Sequence, residues 1–428
     1  MNLSSLDQAI LWHPFTQQKT ANPPIPIVSG KGAILYDESG NSYLDAISSW
    51  WMNLHGHAHP YIAERLYAQA LRLEHVIFAN FTHQPAVELA QRLLNKLPDN
   101  QKRVFYTDNG SSAVEVGLKM CIQYWHNRKE PRKKLLALEN GYHGDTFGAM
   151  SVGARSDFSR PFQDWLFEVE FLDANAPDVV EKLAQILEKE LVAGFVFEPL
   201  VQGAGGMRMY PAETLQKLVK MCQHKGVICI ADEVMTGFYR TGKFLASEWA
   251  EIQPDIICLS KGLTGGNLPL GATTCTAQIF DAFWDDDRAK SLLHGHSCTA
   301  NPLACTAALA SLDLLEMADC QANIQRIIAS NQEFLDILKN QYPQAQNPRQ
   351  KGVILAFEVA NIPQIPNHVW DFFIQKGLIL RPLGNTIYLL PPYCITQAQL
   401  AQIYAGMLDF LQEIQSSAHQ NITHELYP

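Results

Sequence analysis

The chain has 428 residues, 47% of them hydrophobic and 18% charged, with a formal net charge of -10. That is enough apolar residue for a large core and more than one domain. The acidic balance and the lack of a long basic run exclude a nucleic-acid surface, and no apolar stretch approaches the roughly 18 residues of a membrane span.

The N-terminal MNLSSLDQAILWHPF has no basic stretch followed by an apolar core, so it reads as neither a secretory nor a transit peptide. The nine cysteines are scattered without a CxxC, and several, such as Cys229 and Cys258, lie inside apolar runs as small hydrophobes. These features predict a protein of the reducing cytoplasm. A proline-rich stretch (NPPIP) is followed by GAILYDESGNSYLDA, which predicts a hairpin turning at Ser-Gly-Asn.

Next comes SSWWMNLHGHAHP. Trp50 and Trp51 are adjacent, so on an extended strand they would face opposite ways. Core or subunit interface is the ordinary use of such rings, although they can also wall a pocket. His55, His57 and His59 alternate, as His294 and His296 do later. On a strand they could bind zinc or iron, as in a metal-dependent hydrolase. Both runs sit among Gly and Pro and lack local acidic partners, so no metal site is assigned.

From about His55 to Cys305 helical segments alternate with short apolar runs: RVFYT, LLALE, GFVFE, VICIA, DIICLS and ATTCT. This alternation predicts the α/β class, with a mostly parallel sheet covered by helices. After about Ala307 the order becomes a long helix, a strand (GVILAFEV), a helix, two strands (LILRPL and TIYLLPP) and a final helix. That is an α+β pattern. The domain reading is therefore residues 1–54 as an N-terminal segment contributing to the small domain and the site entrance, 55–306 as the large domain, and 307–428 as the small domain.

RVFYT runs through Asp108-Asn109-Gly110-Ser111-Ser112 into a helix on which Val114, Leu118, Cys121, Ile122 and Trp125 recur at helical spacing. Ser112 and Glu115 fit a capping box. Gly110 and Ser111 at a helix N-terminus could cradle a phosphate, or simply cap the helix. GYHGDTFGAMSV follows LLALE, which puts Tyr142, His143 and Asp145 on the same rim, as ligand contacts or as an ordinary glycine-bounded loop. Asp232 closes VICIAD, and Lys261 follows DIICLS. Parallel strands deliver functional groups at their carboxyl ends. An amine and an acid there suit a lysine Schiff base with the acid on a ring nitrogen, or else a structural ion pair. Arg381 in LILRPLG could clamp a carboxylate with its planar fork, or make a structural salt bridge.

DNGSSAVEVGLKM, GYHGDTFGAMSV, FEPLVQGAGGM, IADEVMTGFYRTGK, LSKGLTGGNLPLGA and HGHSCTANPLAC, in that order, resemble the fold-type I, subgroup III (omega) aminotransferases over nearly the whole chain. The resemblance implies pyridoxal 5'-phosphate held covalently by Lys261, which also moves the proton, and Asp232 on the pyridine nitrogen. It implies Gly110 and Ser111 on the phosphate, with Ser297 reaching it from the neighbouring subunit of a homodimer whose sites lie at the interface. Tyr142 would stack on the ring and Glu198 would support the rim. Phe15, Trp50, Trp51, Tyr142, Asp145, Arg240, Gly295 and Arg381 would shape the substrate pocket. LWHPFTQ, SSWWMNLHGHAHP and RPLGNTIYLLPPY are similar to the branch of this family that serves biotin synthesis. That implies 8-amino-7-oxononanoate as the amino acceptor, with Arg381 on its carboxylate, and S-adenosyl-L-methionine as donor. A minority of similar enzymes use lysine instead.

Two departures bear on this. Many relatives that use 2-oxoglutarate carry EPxQGE, whose glutamate masks a pocket arginine. Here EPLVQGAGG places Gly203 and Ala204 where the acid would fall, which suits an acceptor that always carries a carboxylate. Phe15 replaces a tyrosine of many members and removes one hydrogen bond, worth about 0.5–1.5 kcal/mol.

Overall fold

The computed structural model describes residues 2–359 and 366–425. All six apolar runs are strands, and a seventh joins them. β1 (Gln101–Thr107), β2 (Lys134–Leu138), β3 (Glu170–Leu172), β4 (Val192–Phe197), β5 (Ile228–Asp232), β6 (Ile256–Leu259) and β7 (Gly271–Thr276) form one sheet in the order β1-β7-β6-β5-β4-β2-β3. The five strands from β6 to β3 are parallel, and β7 runs antiparallel to both β6 and β1. The fold is α/β with a mostly parallel sheet, as the alternation predicts.

Every residue of β4, β5 and β6 is buried, which is why these strands read as unbroken apolar runs rather than alternating ones. Asp232 pairs in register with Cys258, so the ends of β5 and β6 emerge side by side. Asp232 and Lys261 therefore belong to one edge of the sheet.

Helix α1 (Gly110–Asn127) packs on this sheet through Val114, Leu118, Cys121 and Trp125, all buried. Gly117 permits the approach: a Cβ there would lie 3.2 Å from Cys258 Sγ and 3.3 Å from Ile256 Cγ2. Ile122 differs from expectation and is 48% exposed, at the edge of the helix's apolar stripe. The predicted capping box also does not form. The N-cap lies three residues earlier, at Asn109, whose side chain accepts from Ser112 N at 2.9 Å. Glu115 Oε1 instead accepts from Gly148 N (2.7 Å) and Ala149 N (3.1 Å).

The expected long helix is two, Pro302–Glu316 and Ala318–Gln341, because Met317 between them is extended. Ala345–Lys351, Ile354–Val359 and Thr386–Leu389 make an antiparallel sheet. LILRPL yields only the two-residue strand Leu378–Ile379. It pairs with Ser42–Asp45 of the predicted hairpin, in a four-stranded sheet completed by Ile34–Asp37 and Ile27–Lys31. All nine cysteines are free thiols, and among the described residues no helix is long and apolar enough to cross a membrane.

Candidate active site

Asp232 ends β5 almost fully buried. Its Oδ1 accepts from Val234 N at 3.0 Å and its Oδ2 from His143 Nδ1 at 2.7 Å. Burial works against a charged His143 ring, but the bond to Asp232, its charge and that of Glu198 outweigh it and hold the ring above its ordinary pKa. His143 Nε2 is buried with no partner. Glu198, just past β4, accepts from Tyr142 N (2.9 Å) and Gly203 N (3.0 Å). Burial pushes its carboxyl up to about 7, against the pull of His143 and with a push from Asp232.

The GYHGD loop is thus fastened at three points. Tyr142 N meets Glu198, His143 meets Asp232, and Asp145 N donates to Ser111 Oγ at 2.8 Å. The Tyr142 hydroxyl, on a ring 36% exposed, donates to Asp145 Oδ2 at 3.0 Å. Only glycine fits at Gly144: its φ is +124°, and a Cβ would fall 1.8 Å from Ser111 Oγ. The loop presses Ser111 into place at the start of α1. There the first-turn N–H groups have no acceptor within the helix, and its dipole favours an anion.

Lys261 begins a short 3-10 turn two residues after β6, with φ at +42°. Its Nζ sits 4.6 Å from the centre of the Trp51 ring. Burial lowers the pKa of this amine, and Arg240 adds to that, while Asp232 and Glu198 oppose it. Lys261 makes no ion pair among the described residues, and Asp232 pairs instead with His143. The ion-pair reading of these two residues is therefore set aside.

Trp50 and Trp51 are not on a strand. Ser48, Ser49, Trp50 and Trp51 have φ of 53°, 45°, 67° and 75°, a left-handed turn closed by Trp51 N→Ile47 O and Met52 N→Ser48 O. Each non-glycine residue held that way costs about 1–2 kcal/mol. The turn buries Trp51, whose Nε1 donates to the Tyr388 hydroxyl at 3.0 Å. It leaves Trp50 38% exposed, with its ring 5.5 Å from Phe15 and 5.1 Å from the Arg381 guanidinium. Gly203 gives Trp51 its room, since a Cβ there would be 3.1 Å from Trp51 Cζ3. Trp51 thus occupies the space that a side chain at 203 would need.

Arg240, expected to shape the substrate pocket, lies beneath the tryptophan turn. It is 1% exposed, and its terminal nitrogens donate to Pro391 O (2.9 Å), Trp51 O (3.0 Å) and Asn53 O (3.2 Å). It fastens the tryptophan turn from beneath. Gly295 and Ser297 lie exposed on a loop whose His296 approaches Asp108 at 3.8 Å. A cleft of about 470 Å³ opens behind Arg381 between Pro24, Ile27 and Trp370, but neither Lys261 nor Asp232 lines it.

Of the alternating histidines, His55 and His57 are held by side-chain hydrogen bonds, while His59 Nδ1 and His296 Nε2 are buried without one. His55 Nε2 meets Ser311 Oγ at 3.0 Å, and His57 Nε2 donates to Asp45 Oδ2 at 3.1 Å. Burial pushes His55 down to about 3. Among the described residues no three His, Cys, Asp or Glu side chains are grouped to hold a metal. Sequence reasoning missed Glu233, whose buried carboxylate accepts from Thr236 Oγ1, Ala246 N, Ser247 N and Ser247 Oγ and so shapes the loop carrying Arg240. Its only signal was an acid beside Asp232 in an apolar strand.

The site, then, offers a desolvated amine, a buried acid–imidazole pair and an anion cup on one edge of a sheet, a set suited to carbonyl chemistry on a phosphate-bearing group. The model of the class-III aminotransferases matches residues 15–411. An adenosylmethionine-8-amino-7-oxononanoate aminotransferase of Synechococcus elongatus is 50% identical over 421 residues, 94% of this chain and 99% of its own. The solved structure of an enzyme of that name from Methanocaldococcus jannaschii aligns with a TM-score of 0.91 at 35% identity, covering 96% of this chain and 98% of that one. A PLP-bound amine transaminase from an uncultivated Pseudomonas species aligns at 0.86 with 31% identity, covering 93% and 97%. With a match that runs through both strand ends carrying Asp232 and Lys261, the chain belongs to the class-III aminotransferases.

Proposed function

We propose that this protein is a pyridoxal 5'-phosphate-dependent aminotransferase of biotin synthesis. It converts 8-amino-7-oxononanoate to 7,8-diaminononanoate with S-adenosyl-L-methionine as amino donor. The observation that carries this is the desolvated Lys261 amine, in no ion pair among the described residues, beside the Asp232–His143 pair, on a chain half identical to a relative named for that reaction.

The residues present fit the cofactor. Its phosphate matches the N-terminus of α1, whose first-turn N–H groups have no acceptor within the helix and whose first residue, Gly110, sits so close to Val234 that a Cβ would lie 2.8 Å from its Cγ1. Asp232 is a buried acid held by His143, suited to keep a ring nitrogen protonated. Pyridoxal phosphate supplies an aldehyde that condenses with amines and a protonated ring that accepts the charge left when a carbon loses its proton.

Lys261 would hold the cofactor through its amine, and the same amine would be the group that takes up and gives back a proton at the site. Burial favours the neutral amine that this requires. Gly110 and Ser111 bind the phosphate, and Tyr142 covers the ring. The protein works as a cytoplasmic homodimer, in which Ser297 completes the neighbouring phosphate site and Gly295 lines the neighbouring pocket. Phe15, Trp50, Trp51 and Asp145 bound the substrate, and Arg381 takes its carboxylate. Arg381 is exposed and in no ion pair among the described residues, which supports a clamp that is always open. Residues 55–306 form the large domain, with 1–54 and 307–428 making up the smaller one.

Incubation of the loaded protein with 8-amino-7-oxononanoate and each candidate donor tests the reading, with the product identified by mass spectrometry. 7,8-Diaminononanoate formed with S-adenosyl-L-methionine supports it. Formation only with lysine overturns the donor, and no product with any amine overturns the acceptor.

A further inference from the structure

We infer that Asp45 is a positioning residue that locks the left-handed turn 48–51 and so aims Trp51 at Lys261 and Trp50 at Arg381. Asp45 is fully buried at the end of its strand. Its Oδ1 accepts from Ile47 N at 3.1 Å, and its Oδ2 from Ser49 Oγ at 2.7 Å and His57 Nε2 at 3.1 Å. One carboxylate thus spans the residue before the turn, the second residue within it and the loop beyond it. No glycine relieves the turn, so its four residues stay left-handed only if something outside holds them.

The direction of the bonds requires an acceptor at position 45. Gly56 N donates to Asn53 Oδ1 at 2.7 Å, and a backbone N–H cannot reverse. Asn53 must then present its Nδ2 to His57 Nδ1, 3.1 Å away, which makes that nitrogen the acceptor. His57 Nε2 is left to donate to Asp45. An asparagine amide turned toward His57 would set donor against donor without changing the volume. Arg240 holds the far end of the same turn through Trp51 O and Asn53 O, so the turn is fastened at both ends.

The inference rests on the aminotransferase reading only for its kinetic consequence. The test compares loaded wild type, Asp45→Asn and Asp45→Asn/Ser49→Gly by local hydrogen exchange and by steady-state kinetics. Glycine adopts a positive φ freely, so at position 49 it lowers the need for the lock. Asp45→Asn should speed exchange across 47–53 at least tenfold while β5 is unaffected, and raise the KM for substrate at least tenfold with kcat changed less. The double variant should recover both. If the single variant does not fold, the double variant is read against wild type, and near-wild-type exchange and KM support the inference. Unchanged exchange in Asp45→Asn overturns it. So do faster exchange with wild-type KM, recovered exchange without recovered KM, and failure of both variants to fold. Wild-type turnover, measured alongside, tests the aminotransferase reading separately from the lock.

Discussion

Lys261 is an amine whose pKa burial lowers, set over an indole ring and, among the described residues, in no ion pair with a carboxylate. If it carries both the cofactor and the moving proton, Lys261→Ala should lower turnover by roughly 10³-fold or more. It should still take up pyridoxal phosphate non-covalently, which absorbance before and after dialysis checks. Glu198 makes a different prediction, about pH. Its folded pKa of about 7 lies above the ordinary 4.5, so the folded chain holds this proton more tightly than the unfolded one. The associated stability is fully present below about pH 4.5 and is lost as pH rises through about 7. For a group this buried the loss is on the order of 3 kcal/mol. Denaturant titrations of cofactor-stripped protein should show that decline, and Glu198→Gln should flatten it. Neither property is visible as a residue letter: a lysine after a strand looks the same whether or not burial has lowered its pKa.

At the scale of elements, the GYHGD loop shows what a motif can and cannot reveal. Its place on the rim follows from the strand before it, but its three fastenings join residues 34, 89 and 56 positions apart. Gly144→Ala should break the fastening at Ser111, because the added carbon meets the Ser111 hydroxyl and main chain. Cofactor affinity should fall about ten- to a hundredfold, the worth of one or two hydrogen bonds, as read by fluorescence titration. The buried strands were legible because both of their faces are apolar. β3, with three residues, was too short to register, and Ala345–Lys351 is polar and contains Pro348. The left-handed turn at the tryptophans is not legible in the sequence because no glycine announces a positive φ there. The backbone partners of Arg240, at Trp51, Asn53 and Pro391, are not legible in the sequence because they lie more than 150 positions away.

Across the whole molecule, the sheet that presents Lys261 and Asp232 is tied to segments from both chain ends. Trp51 and its turn come from the N-terminal region, while Tyr388 and Pro391 come from the C-terminal one. Arg349 adds another link, donating to Gly206 O at 2.6 Å and Met207 O at 2.8 Å beside the Glu198 loop. The alternation of strands and helices made the large sheet readable. The way the two ends of the chain close over it was not, because the pairing of Ser42–Asp45 with Leu378–Ile379 rests on a two-residue strand. The central claim is that this assembled site takes an amino group from S-adenosyl-L-methionine onto a cofactor held by Lys261. Its most direct test mixes the loaded protein separately with S-adenosyl-L-methionine, lysine and 4-aminobutyrate while the cofactor's absorption band is followed. The account predicts that S-adenosyl-L-methionine bleaches the band and that 8-amino-7-oxononanoate restores it. Bleaching by lysine or 4-aminobutyrate but not by S-adenosyl-L-methionine would contradict it.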